Sequence, residues 1–378
     1  MPTARDGMRP TPRETTFESS YNRAHDEGSH ISGRLHSALG FLQKAFIAAA
    51  LLTAGVAGAQ AGETLNQVRA RGSLICGVNT GFPGFAVPDA QGEWRGFDTD
   101  LCRGLATILF NDPTKVRFVP LTTVTRFTAL QSGEIDVLIR QTTLTLTRDT
   151  NLGLRVTHPY FYDGHGFMVR RDANITDPKQ MDGMTICLVP SSTGETSTAD
   201  WFRANGLQFT PLLIEKSQDF SAAFQAGRCD ALGNDATALA SQRTRFAQPE
   251  NYVILDQRFS KEPYGPVVRR NDQEWFEIVR WMVMAVIQAE ELGITQANAE
   301  EMRKTSQNAE VQRLLGVDPI LGEALKLDPD WAYNMIRAIG NYGELFERNL
   351  GPKTPVGLSR GVNSLWTDGG LMYSWPMR

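Results

Sequence analysis

The 378-residue chain is poor in the groups that build reactive or metal centres, with five histidines, four cysteines, no Cys-x-x-Cys pair and no Gly-x-Ser-x-Gly elbow. A structural zinc site needs clustered His and Cys ligands, and an α/β-hydrolase needs a serine on a tight strand-to-helix turn, so neither class is favoured. A surplus of one charge is lacking too. With 38 Lys+Arg against 42 Asp+Glu the net charge is −4, and no basic run offers the footprint that a phosphate backbone requires. Nucleic acid is therefore not expected as a partner, nor does any apolar run reach the roughly 20 residues that span a bilayer.

The longest apolar run is residues 45–57, preceded by Arg34 and Lys44 and followed by Ala59-Gln60-Ala61. A basic flank, a short apolar core and a small-residue cleavage site together describe a secretory signal. Residues 1–61 are read as that export signal with an atypically long N-terminal extension, and cleavage is expected after Ala61. An oxidising destination turns Cys76, Cys102, Cys187 and Cys229 into candidate disulfides. Three pairings are open. The shorter loops would be closed by Cys76 with Cys102 and Cys187 with Cys229, and four buried free thiols are the alternative.

Beyond residue 62, strand-like runs alternate with helical patterns. Residues 73–78 and 115–120 read as strands around a helix at 98–109 whose free amides Asp98 can cap, and 185–189 and 209–213 repeat the pattern around 195–205. Strand, helix, strand in this order predicts parallel pairing and an α/β layer fold. Leu130-Gln131-Ser132-Gly133-Glu134-Ile135-Asp136-Val137-Leu138 is echoed by Phe224-Gln225-Ala226-Gly227-Arg228-Cys229-Asp230-Ala231-Leu232. Each copy is a helix stopped by a glycine, then an acid, then a short buried strand, which suggests two similar halves.

Ligands of open α/β sheets bind beyond the carboxyl ends of the strands. One such end leads into Arg140, Gln141, Thr142, Thr143 and Arg148, and the other into Asn234 and Asp235. Cations and hydroxyls at one end and a carboxylate at the other suit an α-amino acid, whose carboxylate needs a guanidinium fork and whose ammonium needs an acceptor. Ser191-Ser192-Thr193, between a strand and a helix, adds amides that favour an anionic group.

At this point a family becomes recognisable. Gly77-Val78-Asn79-Thr80-Gly81-Phe82-Pro83-Gly84-Phe85, Gly96-Phe97-Asp98-Thr99-Asp100-Leu101, the run 136–148 and Glu262-Pro263-Tyr264-Gly265 resemble the periplasmic polar-amino-acid-binding proteins of ABC importers, solute-binding protein family 3. The closing run from Arg360-Gly361-Val362-Asn363 to Tyr373 is similar to the tail of the general L-amino-acid-binding branch. The resemblance implies a type II periplasmic binding protein fold, two α/β lobes joined by two hinge crossover strands. Residues 62–170 would form the first part of lobe 1, 171–264 lobe 2, 265–293 the return to lobe 1, and 294–378 a C-terminal helical extension and tail. The crossovers are expected at 166–170 and 264–268.

It also implies roles. Arg148 would hold the ligand's α-carboxylate with Thr143 beside it, Asp235 would pair with the α-ammonium, and Phe82 would cover the ligand. Thr193 and Ser192 stand in a loop where the family has a glycine that this chain replaces with Ser191. Asn79 occupies a position often acidic in relatives selective for basic side chains, and Arg140 and Gln141 replace small residues, reaching acidic or amide ligands or filling space. The expected product is a monomeric, periplasmic binding subunit without cofactor or metal, which captures free L-amino acids of broad or polar range and delivers them to an inner-membrane ABC permease. The alternatives are an exported enzyme on the same scaffold, of the cyclohexadienyl dehydratase type, and a sensory receptor. The extension is read as helices at 297–315 and 330–349, with Trp366, Tyr373 and Trp375 pinning the tail.

Overall fold

The structure, a computed structural model, describes residues 63–378, so the expected export signal at 1–61 lies outside the described residues. Two five-stranded sheets share one order. In the first, Val116–Leu121, Leu74–Asn79 and Val137–Leu138 pair in parallel, followed by the antiparallel Val267–Arg269 and Leu154–Val156. In the second, Thr210–Leu213, Thr185–Leu188 and Ala231–Asp235 are parallel, followed by the antiparallel His165–Arg170 and Tyr252–Ile254. The chain is thus a two-lobed α/β fold in which the returning strand of each sheet enters from the other lobe.

The sequence echo becomes one device used twice. Gly133 (φ 82°) and Gly227 (φ 72°) follow helices Arg126–Ser132 and Ser217–Gln225, a left-handed step that glycine takes without a Cβ clash. The acids that follow lock the strands together: Asp136 accepts the Ile75 amide at 2.7 Å and Asp230 the Thr185 amide at 2.9 Å.

The lobes are joined by an antiparallel ribbon, Phe161–Asp163 against Glu262–Tyr264. The first crossover therefore lies before the expected 166–170. That segment belongs to the second sheet, Gly166 opposite Asn234, because the apolar run Phe167-Met168-Val169 is buried on both faces as a central strand requires. Tyr264 does end the second connection, and Val267–Arg269 lies in the first sheet.

Helix Gln273–Glu291 buries Trp275, Phe276, Val279, Met282 and Val286, and the Trp275 indole donates to the Asp136 carbonyl at 3.0 Å. Among the described residues no helix is long and apolar enough to cross a membrane. The extension forms Ala299–Thr305, Ala309–Leu314, Ile320–Leu325, Trp331–Ile339 and Tyr342–Asn349. The two helices expected there are broken because Asn308 and Asn341 each cap a new helix, Asn341 in a reciprocal capping box with Glu344. The short helix Ile320–Leu325 carried too few residues to show a period.

Of the three aromatics expected to pin the tail, Trp375 packs edge-on against His158 and Trp281 with Arg280 over its ring, whereas Trp366 and Tyr373 pack on each other. Trp366, Tyr373 and Trp375 are 54%, 47% and 41% exposed, whereas Met372 is fully buried. Asn363 binds both backbone groups of Tyr162, at 2.7 and 2.9 Å, and Arg360 forms a fork with Glu290 at 2.9 and 3.1 Å. The C-terminus is thereby fastened to the outer edge of the connecting ribbon.

Cys76 is bonded to Cys102 (Cα–Cα 6.2 Å) and Cys187 to Cys229 (5.6 Å), one bridge in each lobe. The second closes a 42-residue separation. Chain entropy for a loop of that length gives a stabilisation of about 4 kcal/mol. A Cys187→Ala, Cys229→Ala double variant is expected to lose stability of that order in urea unfolding; a loss below about 1 kcal/mol would mean that the bridge constrains little.

Candidate functional site

The parallel strands of both sheets end at one cavity. From the first lobe, Leu74–Asn79 brings Asn79 and, after a tight loop closed by Phe82 N donating to Ala86 O at 2.9 Å, Phe82. Beyond Val116–Leu121 come Thr123 and Arg126, and beyond Val137–Leu138 come Arg140, Gln141, Thr143 and Arg148. The second lobe contributes Ser192, Thr193, Asn234, Asp235 and Gln242, and the ribbon contributes Tyr264. All nine residues singled out in the sequence as candidates for ligand contact line this one cavity. Arg126, Gln242, Asn234 and Tyr264 were not among them, nor was Glu262, which lies behind Thr143 and Thr193.

Cations crowd the first-lobe side. Arg140 is occupied within the protein, its Nε donating to Leu121 O at 2.7 Å and an Nη to Thr123 Oγ1 at 3.1 Å, and burial pushes it down to about 10. Arg148 donates to Thr143 O at 3.0 Å and lies 5.4 Å over the Phe127 ring; burial lowers its pKa against the pull of Glu262 and Asp235. Arg126 is only 3% exposed, and its Nε has no hydrogen-bond partner among the described residues. Burial, then the repulsion of Arg148 and Arg140, holds its pKa well below the usual guanidinium range.

Anions occupy the other side. Asp235 accepts Tyr264 OH at 2.7 Å and faces His165 Nδ1 at 3.2 Å. Asp163, on the ribbon, accepts the Thr237 amide at 3.0 Å at the start of helix Ala236–Arg243, and burial followed by the nearby Asp235 raises it to about 6. Glu262 accepts Thr143 of the first lobe at 2.6 Å and Thr193 of the second at 2.7 Å, tying the two across the ribbon. Burial and then Asp235 raise its pKa.

The loop before helix Thr193–Ala204 keeps a glycine-like backbone without glycine, Ser191 standing at φ 60°. The Ser192 hydroxyl is spent on the helix cap, accepting Glu195 N at 3.0 Å and donating to Val189 O at 2.7 Å.

Asp98 does not cap its helix. Helix Phe97–Phe110 starts after Gly96, where a Cβ would stand 2.2 Å from Phe85 O, and makes no side-chain cap bond. Asp98 instead accepts Tyr160 OH at 2.6 Å and the Gln141 amide nitrogen, and Gln141 Oε1 accepts Asn79 Nδ2 at 3.1 Å. Burial pushes Asp98 up to about 8. Among the described residues no cluster of metal ligands occurs.

With this geometry in view, similarity to known proteins is informative. Residues 74–297 match the bacterial extracellular solute-binding proteins, family 3. The chain is 48% identical over 339 residues to the general L-amino acid-binding periplasmic protein AapJ of Rhizobium johnstonii, covering 89% of this chain and 99% of that protein. It is also 48% identical over 336 residues, with the same coverage, to the glutamate/glutamine/aspartate/asparagine-binding protein BztA of Rhodobacter capsulatus. The periplasmic binding protein of an ABC transporter from Brucella ovis with glutathione bound superposes with a TM-score of 0.81 at 49% identity, over 83% of this chain and 99% of that one. The chain belongs to the bacterial extracellular solute-binding proteins of family 3 and is a binding protein rather than an enzyme.

Proposed function

We propose that this protein captures free L-amino acids, with a preference for acidic and amide side chains, and delivers them to an ABC permease. The observation that carries the reading is that Arg148 from one lobe and Asp235 from the other line a single cavity. Arg148 takes the α-carboxylate as a charge-assisted fork, with Thr143 and Thr193 beside it, and Asp235 takes the α-ammonium. Phe82 covers the ligand's apolar surface. Closing the lobes removes water from both charges, which strengthens each pairing relative to bulk solution.

Arg126 supplies the side-chain preference. A buried guanidinium whose Nε has no hydrogen-bond partner keeps part of its desolvation cost, which a ligand carboxylate or amide oxygen offsets. AapJ and BztA, by their names, bind general L-amino acids and the Glu, Gln, Asp, Asn set, respectively, and this supports the range. The working location is the periplasm, reached with the 1–61 signal, and the working form is a monomer that meets the inner-membrane permease.

Calorimetry separates the two arginines. Arg148→Ala is expected to weaken every amino acid by about 100-fold or more, the scale of removing one partner of a desolvated charge pair. Arg126→Met is expected to weaken glutamate and aspartate by about tenfold or more while alanine changes less than about threefold. Wild-type affinity in Arg148→Ala, or no thermal stabilisation by any of the common amino acids at millimolar concentration, would overturn the receptor reading. Glutathione belongs in the same panel, given the ligand of the Brucella ovis protein.

A further inference from the structure

Asn79 is buried, lines the cavity, and carries one amide atom, Oδ1, with no hydrogen-bond partner among the described residues. Its other amide atom starts a chain that passes through Gln141, also on the cavity wall, to the buried Asp98: Asn79 Nδ2 donates to Gln141 Oε1, Gln141 Nε2 donates to Asp98 Oδ2, and Tyr160 OH donates to Asp98 Oδ1. An amide keeps nearly the same shape when turned by 180°, but its donor and acceptor exchange places. Two linked amides that end on a carboxyl group therefore have two consistent settings. Gln141 is held at φ 40°, a left-handed backbone unusual for its type, while its side chain bridges Asn79 and Asp98.

We propose that Asp98, acting through Gln141, sets which atom of Asn79 faces the ligand, so that one cavity accepts both acidic and amide side chains. With Asp98 ionised, the bonds run as above and Asn79 offers its acceptor oxygen, which suits the NH2 of a ligand amide. With a proton on Asp98 Oδ2, Asp98 donates to Gln141 Oε1, Gln141 Nε2 donates to Asn79 Oδ1, and Asn79 turns its NH2 toward the ligand, which suits a carboxylate. The proton comes from solvent, and each link of the chain pairs one donor with one acceptor in both settings. Asp98 and Gln141 are positioning residues; of the three, Asn79 is the one that meets the ligand's side chain.

Titration falls in an accessible range. Burial raises Asp98 to about 8, with the Tyr160 hydroxyl, Arg140 and the Gln141 amide pulling it down. Tyr160 lies well above the usual phenol range and Arg140 at about 10, so both keep their protons while Asp98 titrates. Tyr342, which packs on Phe97 from the extension, is likewise raised by burial. Below the Asp98 pKa the donor setting prevails, and above it the acceptor setting.

The inference rests on the amino-acid-receptor reading, and its test keeps the two apart. Dissociation constants for L-glutamate and L-glutamine are measured by calorimetry on the exported chain from about pH 6.5 to about pH 9, where both side chains keep one charge state and the ammonium titration common to both largely divides out of the ratio. The Glu/Gln ratio of dissociation constants is expected to rise by about fivefold or more across that range, the scale of exchanging a favourable hydrogen bond for an opposed one. Asp98→Asn and Gln141→Met, each checked for folding by circular dichroism, are expected to give a ratio that no longer depends on pH. A constant wild-type ratio with both ligands bound overturns the relay and leaves the receptor reading standing, as does a wild-type pH profile in folded Gln141→Met. Failure of both ligands to bind at every pH overturns both.

Discussion

Two short strands, Phe161–Asp163 and Glu262–Tyr264, connect the sheets, and Thr143, Thr193 and Asp235 at the cavity are each bonded to them. The loop carrying Thr143 is laid onto the second strand, with Leu144 N donating to Pro263 O at 2.8 Å and Gly265 N to Thr142 O at 3.1 Å. Asp163 holds the first turn of helix Ala236–Arg243, and the Tyr264 hydroxyl reaches both Asp163 and Asp235. Glu262 bonds a threonine from each lobe. A ribbon of this kind can flex at its ends, and a swing of the lobes apart would release one of the two threonines from Glu262. Asn363 adds a constraint from outside, because it pairs with Tyr162 on the strand's free edge. The extension therefore reaches the hinge itself rather than only covering the first lobe.

Charge placement follows from the same arrangement. Three guanidinium groups line the first-lobe side, while Asp235 lines the cavity opposite and Glu262 and Asp163 stand behind it on the ribbon. Only some are matched internally. Arg140 is spent on a carbonyl and a hydroxyl, Asp163 on a helix start, and Glu262 on three hydroxyls. Arg126 is left without an internal partner at its Nε, and Arg148 with one carbonyl. A cleft whose residual field is positive on one wall and negative on the other is complementary to a zwitterion, and an additional acceptor on the ligand's side chain has Arg126 to meet. The near-zero net charge of the whole chain conceals this polarity, because it arises from local separation rather than from composition.

Much of this was legible in the sequence, and the gaps have physical causes. Arg148 and Asp235 could be found because they follow buried strands whose parallel order the strand–helix–strand pattern implies. Arg126 is not among the residues singled out in the sequence, although a cation in the first turn of Arg126–Ser132 opposes the helix dipole and follows the end of Val116–Leu121; both features are signals. Asp98 read as a cap because acids at a helix start usually are, but only folding brings Gln141 and Tyr160 to it from 43 and 62 residues away. The first crossover lies a few residues before the expected 166–170 since a connecting strand and a central strand are both short apolar runs, and periodicity does not distinguish them. The Asn308 and Asn341 caps were visible as residue types, yet the apolar pattern continues across them.

Gln141 at φ 40° and Ser191 at φ 60° sit on loops of opposite lobes, both at the carboxyl ends of strands. A non-glycine residue in the left-handed region costs on the order of 1 kcal/mol or more, so each conformation must be held by its surroundings. For Gln141 the holding bonds are identifiable: its backbone amide donates to Tyr160 OH at 3.1 Å and its side chain bridges Asn79 and Asp98. For Ser191 the amide donates to Glu195 Oε2 at 2.8 Å, which closes the loop on the helix it precedes. Glycine would adopt either conformation with less strain, but it would leave the loop freer in the open state, and glycine at position 141 would also delete the link between Asp98 and Asn79. The strain is thus the local cost of fixing polar atoms at a cavity wall before any ligand arrives, and that fixing reduces the ordering entropy paid on binding.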